Sequence, residues 1–530
     1  MTAPCDLTLA EASHAIAARR LSPVELVRSV LSRIEAVEPF VTSYITICGD
    51  AALDAARAAE TAIMAGRLRG PLHGIPYGLK DNFFTAGIRT TACSRLMADH
   101  VPHSSATAHV RLQEAGAILL GKLSTYEYGT GTGADSFELP FPPARNPWNT
   151  DHFTGGSSTG SGAAVAAGTA MFALGADTGG SIRLPAAGCG VFGLKPSFGL
   201  VSKAGVLPNA WSLDHVGPLT RTAGDAALVM TAIAGHDVLD PSSACAAPPN
   251  FTDGIGTDIK GLRIGVLRSL HDPAIDAALA AAFEQAVQIL REMGAVLVDL
   301  NLEETQSAFI DCARIINMSE CFAIHERAFR ESREQMGSAL RDKLTAGATI
   351  RAAELLRAQR WRQVLTGAVD RLFASCDVLC CAGTATPAPR LDQPRDVADF
   401  TSRSSMAPFS LSGHPAASIC TGFEPSGLPL NMQIAAPYFQ EPMLLRVASA
   451  YESATRHWQR RPVPTAASRE GWQGAARTLP NPRLSGDPVS AYAQIPLISP
   501  EEEIAFRTHR DRISMIFKMH SEILSPKASY

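Results

Sequence analysis

The chain has 530 residues, of which 46% are hydrophobic and only 18% are charged. This charged fraction lies below the roughly 25% typical of globular chains, so we expect a large buried core. The formal net charge of -4 and the 6% content of aromatic residues give no sign of a nucleic-acid groove or of an anionic membrane partner.

The eleven cysteines are scattered along the chain and fit neither a disulfide framework nor a zinc site. None forms a C-x-x-C pair, and Cys380 and Cys381 are adjacent. No secretory signal pattern opens the sequence, and the apolar runs are too short to span a bilayer. These features predict a protein of the reducing cytoplasm, without a metal or another cofactor.

Two amphipathic helices are predicted near the start of the chain. The segment 22–38 opens with Ser-Pro-Val-Glu, a capping box with proline at the first helical position. Apolar residues then recur at helical spacing. An alanine-rich helix is predicted for 50–65, with its end at Gly66.

The next segment, 72–82, is predicted to contain a short strand that carries Lys80. Side chains alternate along a strand, so Lys80 shares one face with Pro76 and Gly78. These small neighbours leave room in front of the lysine amine. A solvated lysine at the end of a strand is the ordinary alternative.

Further along, predicted helices alternate with short apolar strands, as in the helix–glycine–strand segments 107–120 and 277–300. Other predicted buried strands lie at 261–267, 376–379, 416–420 and 432–434. This alternation favours an α/β fold whose sheet is covered by helices on both faces. The polar segment 305–370 shows no strand pattern and is predicted to form a helical elaboration on the surface.

The strongest chemical signal lies in the segment 154–185, which holds Gly-Gly-Ser corners at 155–157 and 179–181. Glycine allows close backbone approach and conformations closed to other residues. A serine after such glycines can lie beside several N–H donors, as the nucleophile of an acyl transfer requires. A flexible loop is the ordinary alternative for a sequence rich in glycine and serine.

Two familiar glycine-rich motifs do not fit this segment. No Lys-Ser or Lys-Thr pair follows the glycines, as a P-loop requires. The pattern G-x-S-x-G occurs at 156–160, but the preceding residues 146–152 are typical of a turn rather than of the strand that a nucleophile elbow needs. That motif also needs a late histidine, and the surroundings of His414 are not diagnostic.

Taken together, the motifs resemble those of the amidase signature family. The resemblance lies in Lys80 within GIPYGLKDN, Ser157 within GGSSTGSG and Ser181 within GADTGGSIRLP. Further similar segments are 145–148, 212–219, 412–416 and 427–433. The resemblance covers roughly 5–460 and implies a large twisted mixed β-sheet as the core. Thr159 departs from the family, which more often has glycine or serine there.

The resemblance implies a Ser-Ser-Lys triad, in which Lys80 acts as a base on the nucleophile Ser181 through the hydroxyl of Ser157. It also implies a cis peptide bond before Ser157. The oxyanion hole that it implies is formed by the backbone N–H groups of Thr178, Gly179, Gly180 and Ser181. A lysine is a base only when neutral, so burial must lower its pKa well below about 10.4.

Three further residues are expected to support this site. Asp177 and Arg183 bracket the second corner and are predicted to pair, although a simple surface charge is an alternative for Arg183. Ser158 either forms a hydrogen bond near the lysine or caps a helix over 159–173.

The low charge around these motifs leads us to predict an amidohydrolase for a small apolar amide or carbamate, acting through an acyl-enzyme. The tail from residue 462 onwards and the insert at 305–370 favour a free-standing enzyme. The expected partners are that substrate and at most a second copy in a homodimer, with no nucleic acid and no membrane. The alternative is the glutaminase subunit of a tRNA-dependent amidotransferase, which needs protein partners. A scaffold without chemistry is a minor alternative.

The predicted organisation is a catalytic domain over 1–461, with the helical elaboration at about 305–370 inside it. Residues 462–530 are predicted to form a C-terminal arm. Its first part, 462–498, is rich in Pro, Ser, Gly and Ala, and a last helix is predicted for 499–524.

Overall fold

The computed structural model describes residues 3–130 and 138–464. The helix predicted for 499–524 lies outside the described residues, as does the predicted arm from residue 465 onwards. The division of the chain at residue 461 therefore stays a prediction.

The described residues form one mixed sheet of eleven strands. The strands are β1 (Tyr44–Ile47), β2 (Pro76–Lys80), β3 (Ile118–Leu123), β4 (Phe172–Asp177), β5 (Phe192–Lys195), β6 (His215–Thr220), β7 (Arg263–Val266), β8 (Val296–Asp299), β9 (Val378–Ala382), β10 (Ala416–Phe423) and β11 (Pro429–Ala435). Their order across the sheet is β1-β3-β2-β4-β6-β5-β10-β11-β9-β7-β8. Strand β2 runs parallel to β3 and β4, and β7 runs parallel to β8 and β9. The remaining neighbours are antiparallel.

Fourteen α-helices accompany the sheet in the described part of the chain. They are α1 (Leu9–Ala17), α2 (Pro23–Val41), α3 (Gly49–Met64), α4 (Thr107–Glu114), α5 (Thr159–Ala167), α6 (Arg183–Cys189), α7 (Ala223–Ile233), α8 (Ala277–Glu292), α9 (Gln306–Glu331), α10 (Ser338–Gly347), α11 (Ala352–Leu372), α12 (Pro394–Ser402), α13 (Ala407–Ser412) and α14 (Glu441–Thr455). Within residues 3–130 and 138–464, none of the helices combines the length and the apolar character needed to cross a bilayer.

The central strands show why the sheet needs helices on both sides. Every residue of β2, β4, β9 and β11 is buried, so side chains that point to either face are covered. Strands buried on both faces require helical layers above and below the sheet. The predicted α/β fold with a large mixed sheet is confirmed.

Local sequence signals set several of the helix ends. The hydroxyl of Ser22 accepts from the N–H of Val24 at 2.9 Å, and Glu25 accepts from the N–H of Ser22 at 3.0 Å, which is the predicted capping box. Helix α2 nevertheless runs three residues past the predicted end. Helix α5 is shorter than predicted, because Gly168 adopts a φ of +74° and turns the chain towards β4.

A buried ion pair holds the turn that follows Lys80. The Nζ of Lys122 on β3 lies 3.4 Å from Oδ1 of Asp81, and both side chains are fully buried. Lys122 also donates to the hydroxyl of Thr90 at 2.7 Å. The N–H of Thr91 donates to Oδ2 of Asp81 at 2.8 Å. The pair therefore joins the neighbouring strand to the segment that carries the predicted base.

We expect Lys122→Met to lower the free energy of unfolding by about 3–5 kcal/mol, because it leaves the carboxylate of Asp81 buried and unpaired. The double variant Asp81→Asn/Lys122→Met should lose less than the single variant. Denaturant unfolding measures both, with Lys260→Met at an exposed position as the control. An unchanged unfolding midpoint for Lys122→Met would contradict the assigned role of the pair.

Candidate active site

Lys80, the last residue of β2, is fully enclosed and not a solvated lysine. Its side chain is 1% exposed, and its Nζ donates to Oγ of Ser157 at 2.8 Å and to the carbonyl of Ala176 at 3.3 Å. Desolvation lowers the pKa of Lys80 to about 7, against the opposing charges of Asp214 and Asp177. An amine with a pKa near 7 can take up and release a proton at neutral pH.

Ser157 is buried next to Lys80, and contacts made by the neighbouring residues hold it there. It follows a cis peptide bond from Gly156, as the resemblance implies. A side chain at Gly156 would not fit, because an added Cβ would lie 2.2 Å from Cζ of Tyr126. The N–H of Tyr126 donates to the carbonyl of Ser157 at 3.2 Å. These contacts fix the serine at the position where its hydroxyl meets the amine.

Ser158 connects the lysine to the second serine. Its hydroxyl donates to the carbonyl of Ala176 at 3.3 Å, the same carbonyl that Lys80 contacts. Its N–H donates to the carbonyl of Ser181 at 3.2 Å. Although Ser158 is the N-cap residue of α5, its side chain makes no capping hydrogen bond. The hydroxyl therefore bonds next to the lysine and not to the helix, and its supporting role in the site stays a prediction.

The loop 178–182 is held in shape by the buried carboxylate of Asp177. This carboxylate accepts from the N–H groups of Gly180 at 2.7 Å and Ile182 at 3.0 Å. It also accepts from Nη2 and Nε of Arg183 at 3.0 and 3.1 Å. Burial alone would raise the pKa of Asp177, but the guanidinium of Arg183 holds that pKa well below its usual range.

Arg183 is a fully buried anchor, and the surface-charge alternative does not apply. Its Nη1 donates to Oε1 of Gln433 on β11 at 2.7 Å and to the carbonyl of Met406 at 3.1 Å. Its Nη2 donates to the hydroxyl of Ser410 at 2.5 Å. The pairing with Asp177 therefore ties the loop to elements more than 200 residues later in the chain.

The four N–H groups predicted for an oxyanion hole are not equivalent. That of Gly180 donates to Asp177. Within the described residues, those of Thr178, Gly179 and Ser181 have no hydrogen-bond partner. Gly179 is exposed and Ser181 is half-buried, so this side of the loop faces solvent. The nucleophile and an oxyanion hole with three free donors stay predictions.

The structure adds a network that the motifs did not single out. Asp214 accepts at Oδ1 from the hydroxyl of Thr178 at 2.5 Å and at Oδ2 from the N–H groups of Asn209 and Ala210. Asn209 in turn accepts from Nζ of Lys343 at 2.5 Å. Asp214 lies in a segment that carries the resemblance, but nothing in the sequence links Asn209 to a helix 134 residues later.

The discarded nucleophile-elbow interpretation finds no geometric support. His414 is buried, its Nδ1 bonds to the hydroxyl of Ser412, and its Nε2 lies 2.9 Å from Asp370. These partners belong to a different part of the chain from the two Gly-Gly-Ser corners. Residues 3–130 and 138–464 contain no group of three or more His, Cys, Asp or Glu side chains that could hold a metal ion.

Comparison with known proteins agrees with this fold. The Amidase family model matches residues 25–445. The chain is 37% identical over 475 residues to the A-type subunit of glutamyl-tRNA(Gln) amidotransferase from Geobacter metallireducens, covering 85% of this chain and 97% of that protein. The peptide amidase of Stenotrophomonas maltophilia is 32% identical with a TM-score of 0.75, covering 86% of this chain and 98% of the other. The A-type subunit of glutamyl-tRNA(Gln) amidotransferase from Thermotoga maritima is 27% identical with a TM-score of 0.73, covering 87% and 98%.

The fold and the paired serines with their buried lysine define an enzyme of amide C–N bonds. The chain belongs to the Amidase family, as the matched range and the relatives show. Membership agrees with the resemblance found in the motifs around the two serines.

The prediction of a free-standing amidohydrolase for a small apolar amide is wrong. The relatives at 35–37% identity are named as the A-type subunit of glutamyl-tRNA(Gln) amidotransferase, which favours the alternative function. The expected set of partners, limited to a small molecule and a homodimer without nucleic acid, is wrong for the same reason. The motifs are poor in charge because they are buried, as in α5 where all nine residues are covered, and not because the substrate is apolar.

A fluorophosphonate probe should label Ser181 and form a single adduct, because an activated serine attacks phosphorus as it attacks an acyl carbon. Intact mass and peptide mapping measure the adduct. The Ser181→Ala variant should remain unlabelled, whereas the exposed-site control Ser426→Ala should label like the wild type. An adduct on a different residue would argue against Ser181 as the nucleophile.

The rate of this labelling should rise about tenfold per pH unit below pH 7 and level off above it. Only the neutral amine of Lys80 can accept a proton, and its pKa is about 7. Lys80→Arg should leave the rate as low as Lys80→Ala, because arginine does not deprotonate. A flat profile between pH 5.5 and 8.5, or rapid labelling of the arginine variant, would refute the role of a neutral lysine.

Proposed function

We propose that this chain is the glutamine-hydrolysing subunit of a glutamyl-tRNA(Gln) amidotransferase. The observation that carries the proposal is the 37% identity that extends over 97% of a relative with that name. Further relatives from Moorella thermoacetica and Carboxydothermus hydrogenoformans carry the same name and match over 98% and 99% of their length.

The geometry supports hydrolysis of the glutamine carboxamide through an acyl-enzyme. In this mechanism Lys80 accepts a proton through the hydroxyl of Ser157 while Oγ of Ser181 attacks the carboxamide carbon. The N–H groups of Thr178, Gly179 and Ser181 stabilise the oxyanion. The protonated lysine then returns its proton through Ser157 to the leaving nitrogen, which departs as ammonia. Water next attacks the ester by the same route and releases glutamate.

The composition of the chain favours a division of labour between subunits. Binding to tRNA relies on lysine and arginine side chains that neutralise phosphates. This chain carries a net charge of -4, so companion subunits would supply the tRNA-binding surface and use the ammonia. The cytoplasmic location expected from the scattered cysteines fits this role.

The purified chain with amidotransferase partner subunits should transfer the amide nitrogen of L-glutamine to glutamyl-tRNA. With ¹⁵N-amide-labelled glutamine, mass analysis of the aminoacyl group detects the transfer. Ser181→Ala should still assemble but transfer nothing from glutamine, while added ammonium should restore the product. If wild-type protein is labelled at Ser181 but neither hydrolyses glutamine nor binds partner subunits, the proposal is refuted.

A further inference from the structure

Asp214 directly precedes β6 and carries a buried carboxylate. The residue is 8% exposed, and none of the ion pairs within residues 3–130 and 138–464 includes it. Burial of a carboxylate is costly unless hydrogen bonds or an opposite charge compensate the lost hydration. The presence of this group beside the catalytic centre therefore requires a physical explanation.

The hydrogen bonds of Asp214 favour its ionised form. Its Oδ1 accepts from the hydroxyl of Thr178 at 2.5 Å, and its Oδ2 accepts from the N–H groups of Asn209 at 2.8 Å and Ala210 at 3.0 Å. The two N–H groups cannot accept a proton from a neutral carboxyl group. The hydroxyl of Thr178 already accepts from Nδ2 of Asn209 at 3.3 Å, so its proton points to Asp214. Three donors on one group are the pattern of a carboxylate that keeps its charge.

The same hydrogen bonds connect Asp214 to both sides of the catalytic centre. Nδ2 of Asn209 donates to the carbonyl of Gly129 at 3.3 Å as well as to the hydroxyl of Thr178. A Cβ added at Gly129 would lie 4.0 Å from Nζ of Lys80 and 4.0 Å from Cβ of Asn209, so this wall borders the amine. On the other side, Thr178 supplies a predicted oxyanion donor, whose N–H has no partner within the described residues.

The charges that face Lys80 differ in how far they are compensated. Burial lowers the pKa of Lys80, and Asp214, Asp177 and the thiol of Cys93 oppose that effect, with Asp214 first among them. The carboxylate of Asp177 lies 3.0 Å from Nη2 of Arg183 in a fully buried ion pair. Because a guanidinium lies against Asp177, the charge of Asp214 is the one left to act on the amine.

The groups that face Asp214 leave its charge in place. Burial raises the pKa of Asp214, and its hydrogen bonds together with the charge of Lys203 oppose the rise. Burial lowers the pKa of His215, the next residue, well below its usual range, so that ring is neutral. Lys343 donates to Oδ1 of Asn209, the opposite end of the amide from the Thr178 hydroxyl. Within the described residues, neither lysine forms an ion pair with the carboxylate.

We propose that Asp214 is a positioning residue for amide hydrolysis, which fixes Thr178 and serves as the buried counter-ion of protonated Lys80. When Oγ of Ser181 attacks the carbonyl carbon, its proton passes through the hydroxyl of Ser157 to the amine. The new ammonium then lies near a carboxylate in a site without water, where opposite charges attract strongly. The anchored hydroxyl of Thr178 leaves the N–H of that residue free to donate to the oxyanion. The role applies to any amide and does not rest on glutamine as the substrate.

The pH dependence of fluorophosphonate labelling at Ser181 tests this role in the full-length protein. In the wild type, a pKa of about 7 leaves roughly one tenth of the Lys80 amine neutral at pH 6, so the rate there is about one tenth of the plateau. Asp214→Asn removes a charge that raises the pKa of Lys80, so the inflection should move to lower pH. The rate at pH 6, as a share of the plateau, should rise at least about 2-fold.

Three further variants complete the experiment. Thr178→Val removes the hydroxyl and retains the carboxylate, so the plateau rate should fall about 10-fold or more while the inflection stays in place. Asp214→Ala removes the charge without placing an amide donor against two N–H groups, and it should show the same shift if Asp214→Asn does not fold. Asp253→Asn, at an exposed position, should label like the wild type.

A merely structural role for Asp214 would lower the rate equally at every pH. An inflection at the wild-type pH in folded Asp214→Asn or Asp214→Ala would therefore overturn the counter-ion. A Thr178→Val variant that labels at the wild-type rate would overturn the positioning of the oxyanion donor. Labelling needs no glutamine, so a chain that shows the shift but does not hydrolyse L-glutamine would support this role and count against the proposed function.

Discussion

The exclusion of water from the amine of Lys80 is the constraint on which the site depends. An ammonium at the end of a fully buried strand loses its hydration, and this loss brings its pKa to about 7. The carboxylates of Asp214 and Asp177 raise this pKa and so oppose the effect of burial. Arg183 compensates the charge of Asp177, and the carboxylate of Asp214 accepts hydrogen bonds from Thr178 and from two backbone N–H groups. The amine therefore stays poised between its two protonation states.

The site combines parts of the chain with different tasks. The segments around Lys80, Ser157 and Ser181 form the predicted chemical centre, and Arg183 joins that centre to β11 and α13. Helices α9 and α10 reach the same centre from the region that the sequence marked only as a helical elaboration. Relatives named as a peptide amidase and as the A-type subunit of an amidotransferase share this fold. The fold thus sets the class of reaction, and the residues that surround the centre determine which substrate binds.

The mistaken expectation of an apolar substrate has a simple physical origin. A segment that is packed between a sheet and helices is poor in charge whatever the enzyme binds, and α5 is such a segment. The groups that recognise a substrate can come from other segments of the chain. Composition near a catalytic motif therefore reports on burial rather than on recognition.

The sequence by itself determined the local features of this protein. The capping box at Ser22, the strand around Lys80 and the two Gly-Gly-Ser corners follow from residue types at short spacing. The tertiary structure decided which groups meet. It assigned the N–H of Gly180 to Asp177, and it joined Arg183 to Gln433 across 250 residues and Lys343 to Asn209 across 134. Such contacts depend on the order of strands in the sheet and on where helices cross it, and hydrophobic periodicity along one segment carries no information about either.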